Sequence, residues 1–257
     1  MTDFIIEEKL TDYIVFFRIN RPDVYNALNF EMLELLSSKL DALVKADVRC
    51  LVITGMGKSF SSGVDLKEIK DFDPNTARNF SLAGHRLLEK IENFPCPVIA
   101  AVNGYAVGGG LEMACACDLR FAAESAKFGL PESKVGMITS WGGTFRLPRH
   151  IGVARAKELF FTARMITAVE AREYGLVNEV YPDERFMENV FNIARRIEKN
   201  APIANRLAKK MLNRYPWDLD NLKDEESLAL SHCVNTEDQN EAITAYLEKR
   251  EPVFKNR

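Results

Sequence analysis

Read for hydrophobic periodicity, the first hundred residues alternate between short β-rich runs and amphipathic helical runs, the pattern of repeated β and α units. Ile14-Val15-Phe16-Phe17-Arg18-Ile19 predicts a strand. Asn29 then predicts the N-cap of a helix whose Leu33, Leu36, Leu40 and Leu43 recur at helical spacing. Cys50-Leu51-Val52-Ile53-Thr54 is the next strand, closed by Gly55 and Gly57. A second helix is expected from Thr76 to Asn93, and Pro95 and Pro97 end that region ahead of a buried strand, Val98-Ile99-Ala100-Ala101-Val102. From about residue 183 onward the strand signals stop and helices follow one another. Pro202 suits a first helical position and Pro216 ends that helix. Thr236-Glu237-Asp238-Gln239 fits a capping box opening a final helix, with Ala242, Ile243, Tyr246 and Leu247 as its apolar face; Thr167 and Glu170 carry the same signature for an earlier helix that Gly175 ends. The last part of the chain is therefore expected to be all-helical.

Composition narrows the function. A chain of 257 residues buries a large core without staples, and no apolar run approaches the length of a membrane span. The start, Met1-Thr2-Asp3-Phe4-Ile5-Ile6-Glu7-Glu8, is acidic and lacks the features of a targeting peptide, so a cytoplasmic protein with no membrane partner is expected. Five scattered cysteines (Cys50, Cys96, Cys115, Cys117, Cys233) read as reduced core thiols, and three histidines (His85, His150, His232) in no ligand pattern predict no metal. A net charge of -3 argues against nucleic acid. One local exception is the basic series Arg195, Arg196, Lys199, Arg206, Lys209, Lys210 and Arg214, which motivates a rival reading as an RNA-binding protein; a solvated helical face is the plainer expectation.

The candidate chemistry lies in Pro97 to Cys115, where a buried strand is followed by a turn, the triplet Gly108-Gly109-Gly110 and an apolar helix. Glycines at a helix start let a ligand approach bare N–H groups at the positive end of the dipole, which is the chemistry of an oxyanion hole. Glu112, three residues after Gly109, brings a carboxylate to the same face. Other phosphate and hydrolase signatures fail: Val52 occupies the first glycine position of a P-loop ending in Gly57-Lys58-Ser59, Met113 the last glycine position of a dinucleotide fingerprint, and Ser140 has Ile138 two residues before it.

This segment resembles the most recognisable stretch of the crotonase (enoyl-CoA hydratase/isomerase) superfamily, and further family motifs follow in order. They are Arg21-Pro22 with Asn26-Ala27-Leu28, Phe60-Ser61-Ser62-Gly63-Val64-Asp65-Leu66-Lys67-Glu68, and Phe128-Gly129-Leu130-Pro131-Glu132 with Gly136, Gly142-Gly143-Thr144 and Arg146-Leu147. The resemblance covers nearly the whole chain. It implies an α/β fold, a crotonase-like spiral of repeated β-β-α units with a C-terminal helical region. The spiral over 1–195 would hold the coenzyme A and catalytic site, and 196–257 would pack across subunits of a homotrimer or a dimer of trimers. It also implies that the amides of Val64 and Gly109 bind the thioester oxygen of an acyl-CoA, and that Glu112 and Glu132 form the two-glutamate pair of the hydratase type. Ala27, Ser62, Asp65 and Leu66 would line the coenzyme, with Lys67 facing a phosphate and Lys249 or Arg250 the ribose phosphate.

Two carboxylates suit hydration on chemical grounds. Adding water across a double bond conjugated to a carbonyl needs a base for the water and a proton donor for the α-carbon, and mutual repulsion lets one acid of a close pair keep its proton. The expected reaction is reversible hydration of a trans-2-enoyl-CoA to a 3-hydroxyacyl-CoA, with Glu112 as base and Glu132 as donor, or with both acids sharing these roles through one water. Coenzyme A is part of the substrate, and no other cofactor is expected. Isomerisation, thioester hydrolysis, or hydration of a cyclic or branched acyl-CoA stand as alternatives. The sequence departs from the family at Thr139-Ser140-Trp141, where relatives carry a small turn; Trp141 either lines the acyl pocket or packs at a subunit contact.

Overall fold

The computed structural model describes residues 3–200, 202–213, 230–231, 234 and 236–250. Its strands are β1 (Ile5–Lys9), β2 (Ile14–Ile19), β3 (Cys50–Gly55), β4 (Ser59–Ser61), β5 (Val98–Val102), β6 (Tyr105–Val107), β7 (Leu119–Ala123), β8 (Lys127–Gly129), β9 (Ile166–Thr167) and β10 (Glu179–Tyr181). Its helices are α1 (Phe30–Leu43), α2 (Leu66–Ile69), α3 (Pro74–Glu92), α4 (Gly109–Ala116), α5 (Gly143–Ile151), α6 (Val153–Thr162), α7 (Ala168–Glu173), α8 (Phe186–Glu198), α9 (Pro202–Leu212) and a last described helix, Glu237–Glu248. A large sheet runs β1-β2-β3-β5-β7-β10 and a small one β4-β6-β8-β9. Three successive strand pairs, β3/β4, β5/β6 and β7/β8, each place the first strand in the large sheet and the second in the small one, parallel to its counterpart in the previous pair. The chain thus advances one rung of both sheets per unit, which is the expected spiral.

Alternation along the strands explains why the large sheet is covered on both sides. Val15, Phe17, Leu51, Ile53, Val98 and Ala100 face the main core shared with α1 and α3. The intervening Ile14, Phe16, Cys50, Val52, Ile99 and Ala101 face a second core closed by Phe186, Val190 and Ala194 of α8. A strand buried on both faces reads as a continuous apolar run, as β3 does. Burying Phe186 and Val190 contributes roughly 1.5–3 kcal/mol each, so α8 is part of the core. The expected division after residue 195 falls inside this helix.

The predicted caps form where expected: Asn29 Oδ1 accepts from the Met32 amide at 3.0 Å, Thr167 and Glu170 make a reciprocal capping box, and Thr236 Oγ1 accepts from the Gln239 amide at 3.0 Å. The second helix starts at Pro74 rather than Thr76, because Asp73 Oδ1 takes the amides of Asn75 and Thr76 at 2.8 Å each. The basic series does not form one face: Arg195, Arg196, Arg206 and Lys210 are exposed, whereas Lys209 turns inward and pairs with Asp118 at 2.7 Å. Arg214, Pro216, His232 and Cys233 lie outside the described residues. No helix among the described residues is long and apolar enough to cross a membrane.

Candidate active site

The site begins with a scaffold. Asn26 is fully buried; its Oδ1 accepts the Arg21 amide at 2.9 Å, and its Nδ2 donates to the carbonyls of Met56 (2.9 Å) and Ser59 (2.6 Å). Arg21 donates to the Ala27 carbonyl at 2.7 Å and pairs with Asp65 at 3.0 Å. These contacts fasten the 21–28 loop to the segment after β4. There Leu28 bridges Val64 in parallel: the Leu28 amide donates to Gly63 O at 2.7 Å, and the Asp65 amide donates to Leu28 O at 2.9 Å. In such a bridge the two bonded peptides flank Val64, so the N–H of Val64 points away from Leu28.

The Val64 amide points toward the glycine turn. Gly63, at φ 87°, lies so close to it that an added Cβ would stand 2.6 Å from Val107 O and 2.8 Å from Gly109 N. Gly108 holds φ 53° and ψ -126°, a conformation that side chains rarely adopt, and its own N–H is taken by Gly129 O at 2.9 Å. The amide of Gly109, first residue of α4, has no acceptor within its helix. Among the described residues, the amides of Val64 and Gly109 donate to no protein acceptor.

Both residues line a cavity of about 390 Å³ whose wall also carries Glu112 and Glu132. Glu112 is 2 % exposed, and its Oε1 accepts from the amides of Trp141 at 2.7 Å and Gly143 at 2.8 Å. Burial pushes its carboxyl above the ordinary glutamate value; the Thr139 hydroxyl, the amides of Gly143 and Trp141, and the Arg146 guanidinium pull it back. Glu132 opens a short 3-10 turn, Glu132–Val135, and its Oε1 would lie 3.1 Å from a Cβ on Gly108. The two acids therefore flank the glycine turn, one from α4 and one from the segment after β8.

Other predicted site residues separate into two groups. Ser62 and Leu66 line the cavity. Ala27 and Asp65 do not; Ala27 is buried with its carbonyl bonded to Arg21, and Asp65 is the N-cap of α2 and the partner of Arg21. Lys67 is exposed on α2, and Lys249 is exposed as the C-cap of the last described helix, so neither forms part of the wall. Arg250 pairs with Glu241 at 2.6 Å and Glu248 at 2.7 Å. Trp141 corrects both expectations held for it. Its indole is fully buried within the chain, against Gly84 of α3 and Gly109 of α4 with Phe80 at 5.3 Å between ring centres, so it is in neither the pocket wall nor a subunit contact. It fills the space under the glycine turn that a side chain at Gly109 would occupy.

Sequence reasoning missed several wall residues. Tyr25 and Tyr105, half exposed at the cavity rim, meet edge to face at 6.2 Å. Met137 and Ile138 line the apolar part, and Leu230 and Tyr246 close it from the helical region. Tyr246, which the pattern places on the apolar face of its helix, is 61 % exposed at the cavity.

A family model described as enoyl-CoA hydratase/isomerase matches residues 10–257. The chain is 42% identical over 243 residues to a short-chain-enoyl-CoA hydratase of Clostridium acetobutylicum, covering 93% of each. It is 43% identical over 254 residues to a crotonyl-CoA hydratase of Syntrophomonas wolfei, covering 97% of each. Among solved structures, an enoyl-CoA hydratase from Bacillus anthracis is 40% identical and superimposes with a TM-score of 0.81 over 99% of this chain and 100% of that one. With a spiral of paired strands, a glycine turn at a helix start and a match over nearly its full length, the chain belongs to the enoyl-CoA hydratase/isomerase family.

Proposed function

We propose that the protein is an enoyl-CoA hydratase, adding water reversibly and syn to a trans-2-enoyl-CoA to give a 3-hydroxyacyl-CoA. The observation that carries this reading is the meeting of two undonated amides and two glutamates in one cavity. The thioester oxygen accepts hydrogen bonds from Val64 and Gly109. Ionised Glu112, with Oε1 held by two amides, offers Oε2 to a water and takes its proton as the water oxygen bonds to C3. The double-bond electrons move through C2 onto the thioester oxygen, where the two amides stabilise the enolate. Glu132 then delivers a proton to C2. The helix dipole of α4 adds to the positive potential at that oxygen.

The exposed rings of Tyr25 and Tyr105 and the hydroxyl of Ser62 suit the nucleotide end of coenzyme A, and Met137, Ile138 and Leu230 suit an acyl chain. Acid–base chemistry of this kind requires neither a metal nor a redox cofactor, and coenzyme A enters as part of the substrate. The reading includes a cytoplasmic homotrimer or dimer of trimers, which sedimentation measures directly. Two acids at the reacting carbons favour hydration over isomerisation or thioester hydrolysis.

Incubation with crotonyl-CoA, following loss of the conjugated enoyl absorbance, tests the proposal. Glu112→Gln and Glu132→Gln are each expected to lower turnover by roughly 10²-fold or more with the fold intact. Near-normal turnover in either variant removes that acid from the mechanism, and release of free thiol in place of hydration supports a hydrolase instead.

A further inference from the structure

On the side of Glu112 away from the cavity, a buried arginine closes on the turn that fixes its carboxylate. Arg146, the fourth residue of α5, is 1 % exposed and absent from the wall of the substrate cavity. Its Nη1 donates to the Trp141 carbonyl at 2.7 Å, while Nη2 and Nε donate to Glu92 Oε2 at 2.8 and 3.2 Å. Glu92, the last residue of α3, is held on its other oxygen by Arg149 at 3.0 Å. The turn is shaped around this guanidinium, because a Cβ on Gly142, at φ 107°, would stand 2.2 Å from Arg146 Nη1. Trp141 is gripped at both of its polar backbone groups: its carbonyl accepts from Arg146 and its amide donates to Glu112 Oε1 at 2.7 Å.

We infer that Arg146, aimed by Glu92, is a positioning residue that acts through the backbone of Trp141 to hold Glu112 against the cavity. The inference rests on the reading of Glu112 as the base. A planar fork suits the task, since one guanidinium reaches a carbonyl and a carboxylate at once without entering the space that substrate fills. Its charge acts in the same direction. Besides the Thr139 hydroxyl and the two amides, Arg146 from α5 acts on Glu112; the titratable groups nearby are Glu132 on the same cavity wall and, on α4 itself, the Cys115 thiol, which burial pushes up to about 12 and so keeps neutral. His85 of α3 stacks on Phe145 at 6.1 Å, beside Arg146. Arg146 is thus the cation that favours the ionised base.

The test compares Arg146→Met, Arg146→Lys and Glu92→Gln with the wild-type enzyme, measuring kcat, KM and the pH dependence of kcat/KM for crotonyl-CoA, with circular dichroism and thermal melts alongside. Arg146→Met is expected to lower kcat by about tenfold or more with KM little changed. Its acid limb moves to higher pH, because a base that has lost its cation takes up a proton more readily. Arg146→Lys restores the charge, so its acid limb returns toward wild type while kcat stays low for want of the fork. A purely structural arginine lowers the melting temperature and leaves kcat per folded site and the acid limb unchanged; that result overturns the inference. Should Arg146→Met fail to fold, Glu92→Gln decides: it keeps the cation and loosens its aim, so a several-fold fall in kcat is expected and a wild-type kcat overturns the inference. No hydration by the wild-type enzyme refutes the function itself, whereas normal wild-type hydration with unaltered variants refutes only the role of Arg146.

Discussion

Gly63→Ala strikes the oxyanion pair without touching either acid. The residue stands at φ 87°, and a methyl there would sit 2.6 Å from Val107 O and 2.8 Å from Gly109 N. An ordinary carbon–oxygen approach is about 3.3 Å, so the Val64 segment or the glycine turn must retreat by roughly 0.7 Å. Oxyanion donors act at about 2.7–3.1 Å, and a retreat of that size takes one amide out of range. Losing one donor costs about 10²–10³-fold in kcat, or roughly 3–4 kcal/mol at the transition state. Stability falls as well, by about 1–2 kcal/mol for a side chain in left-handed backbone. Gly152→Ala separates the two effects: its φ is 78° with nothing within 4 Å of the added Cβ, so it carries the strain without the clash. The assay is kcat at saturating crotonyl-CoA for both variants, with thermal melts. Expected is a loss of stability in both variants, larger in Gly63→Ala where the clash adds to the strain, with kcat collapsing in Gly63→Ala alone. A folded Gly63→Ala enzyme with wild-type kcat would refute the placement of the enolate oxygen at these amides.

Three further outcomes follow from contacts around the site. Asn26→Ala removes three hydrogen bonds from a fully buried side chain, to the Arg21 amide and the Met56 and Ser59 carbonyls, and urea unfolding should show a loss of roughly 2–4 kcal/mol. Thr167→Ala removes a capping box and should cost about 1 kcal/mol near neutral pH. The Glu170 carboxyl is held below its ordinary range by the Thr167 amide, then by Arg164. That stabilisation is therefore complete above the unfolded value of about 4.3 and is lost as pH falls through the lower folded value; because the Thr167 amide remains in Thr167→Ala and the lost cap on the Glu170 amide does not titrate, both proteins should weaken in acid with most of the gap between their melts kept. Burial raises the Glu112 carboxyl, so the acid limb of wild-type kcat/KM should lie above the ordinary glutamate range; a limb at or below that range contradicts the raising of this carboxyl by burial.

What the sequence made legible followed from local rules. The caps at Asn29 and Thr167 and the fully buried strands β3 and β5 are decided within a few residues, and the structure has them where their pattern put them. Strands β4, β6 and β8, three residues each, are too short to show alternation, and they became visible only through pairing with one another across long stretches of chain. Motif residues divided in the same way. Arg21, Asn26 and Asp65 carry charge or amides that invite a ligand-binding reading, yet their partners are Ala27, Met56, Ser59 and each other.

Trp141 shows why this division is hard to see from one dimension. A bulky residue where relatives carry a small turn suggests a pocket wall, because the sequence does not show which way alternate residues of a turn point. The structure sends the indole behind α4, where glycines at 84 and 109 vacate the space for it, and sends the neighbouring amides forward to Glu112. The tryptophan and its two glycines are one packing unit drawn from three elements, so substituting any one of them strains the other two. The catalytic acid is positioned by that unit and by the arginine beneath it, which is why a residue excluded from the cavity still bears on the chemistry inside it.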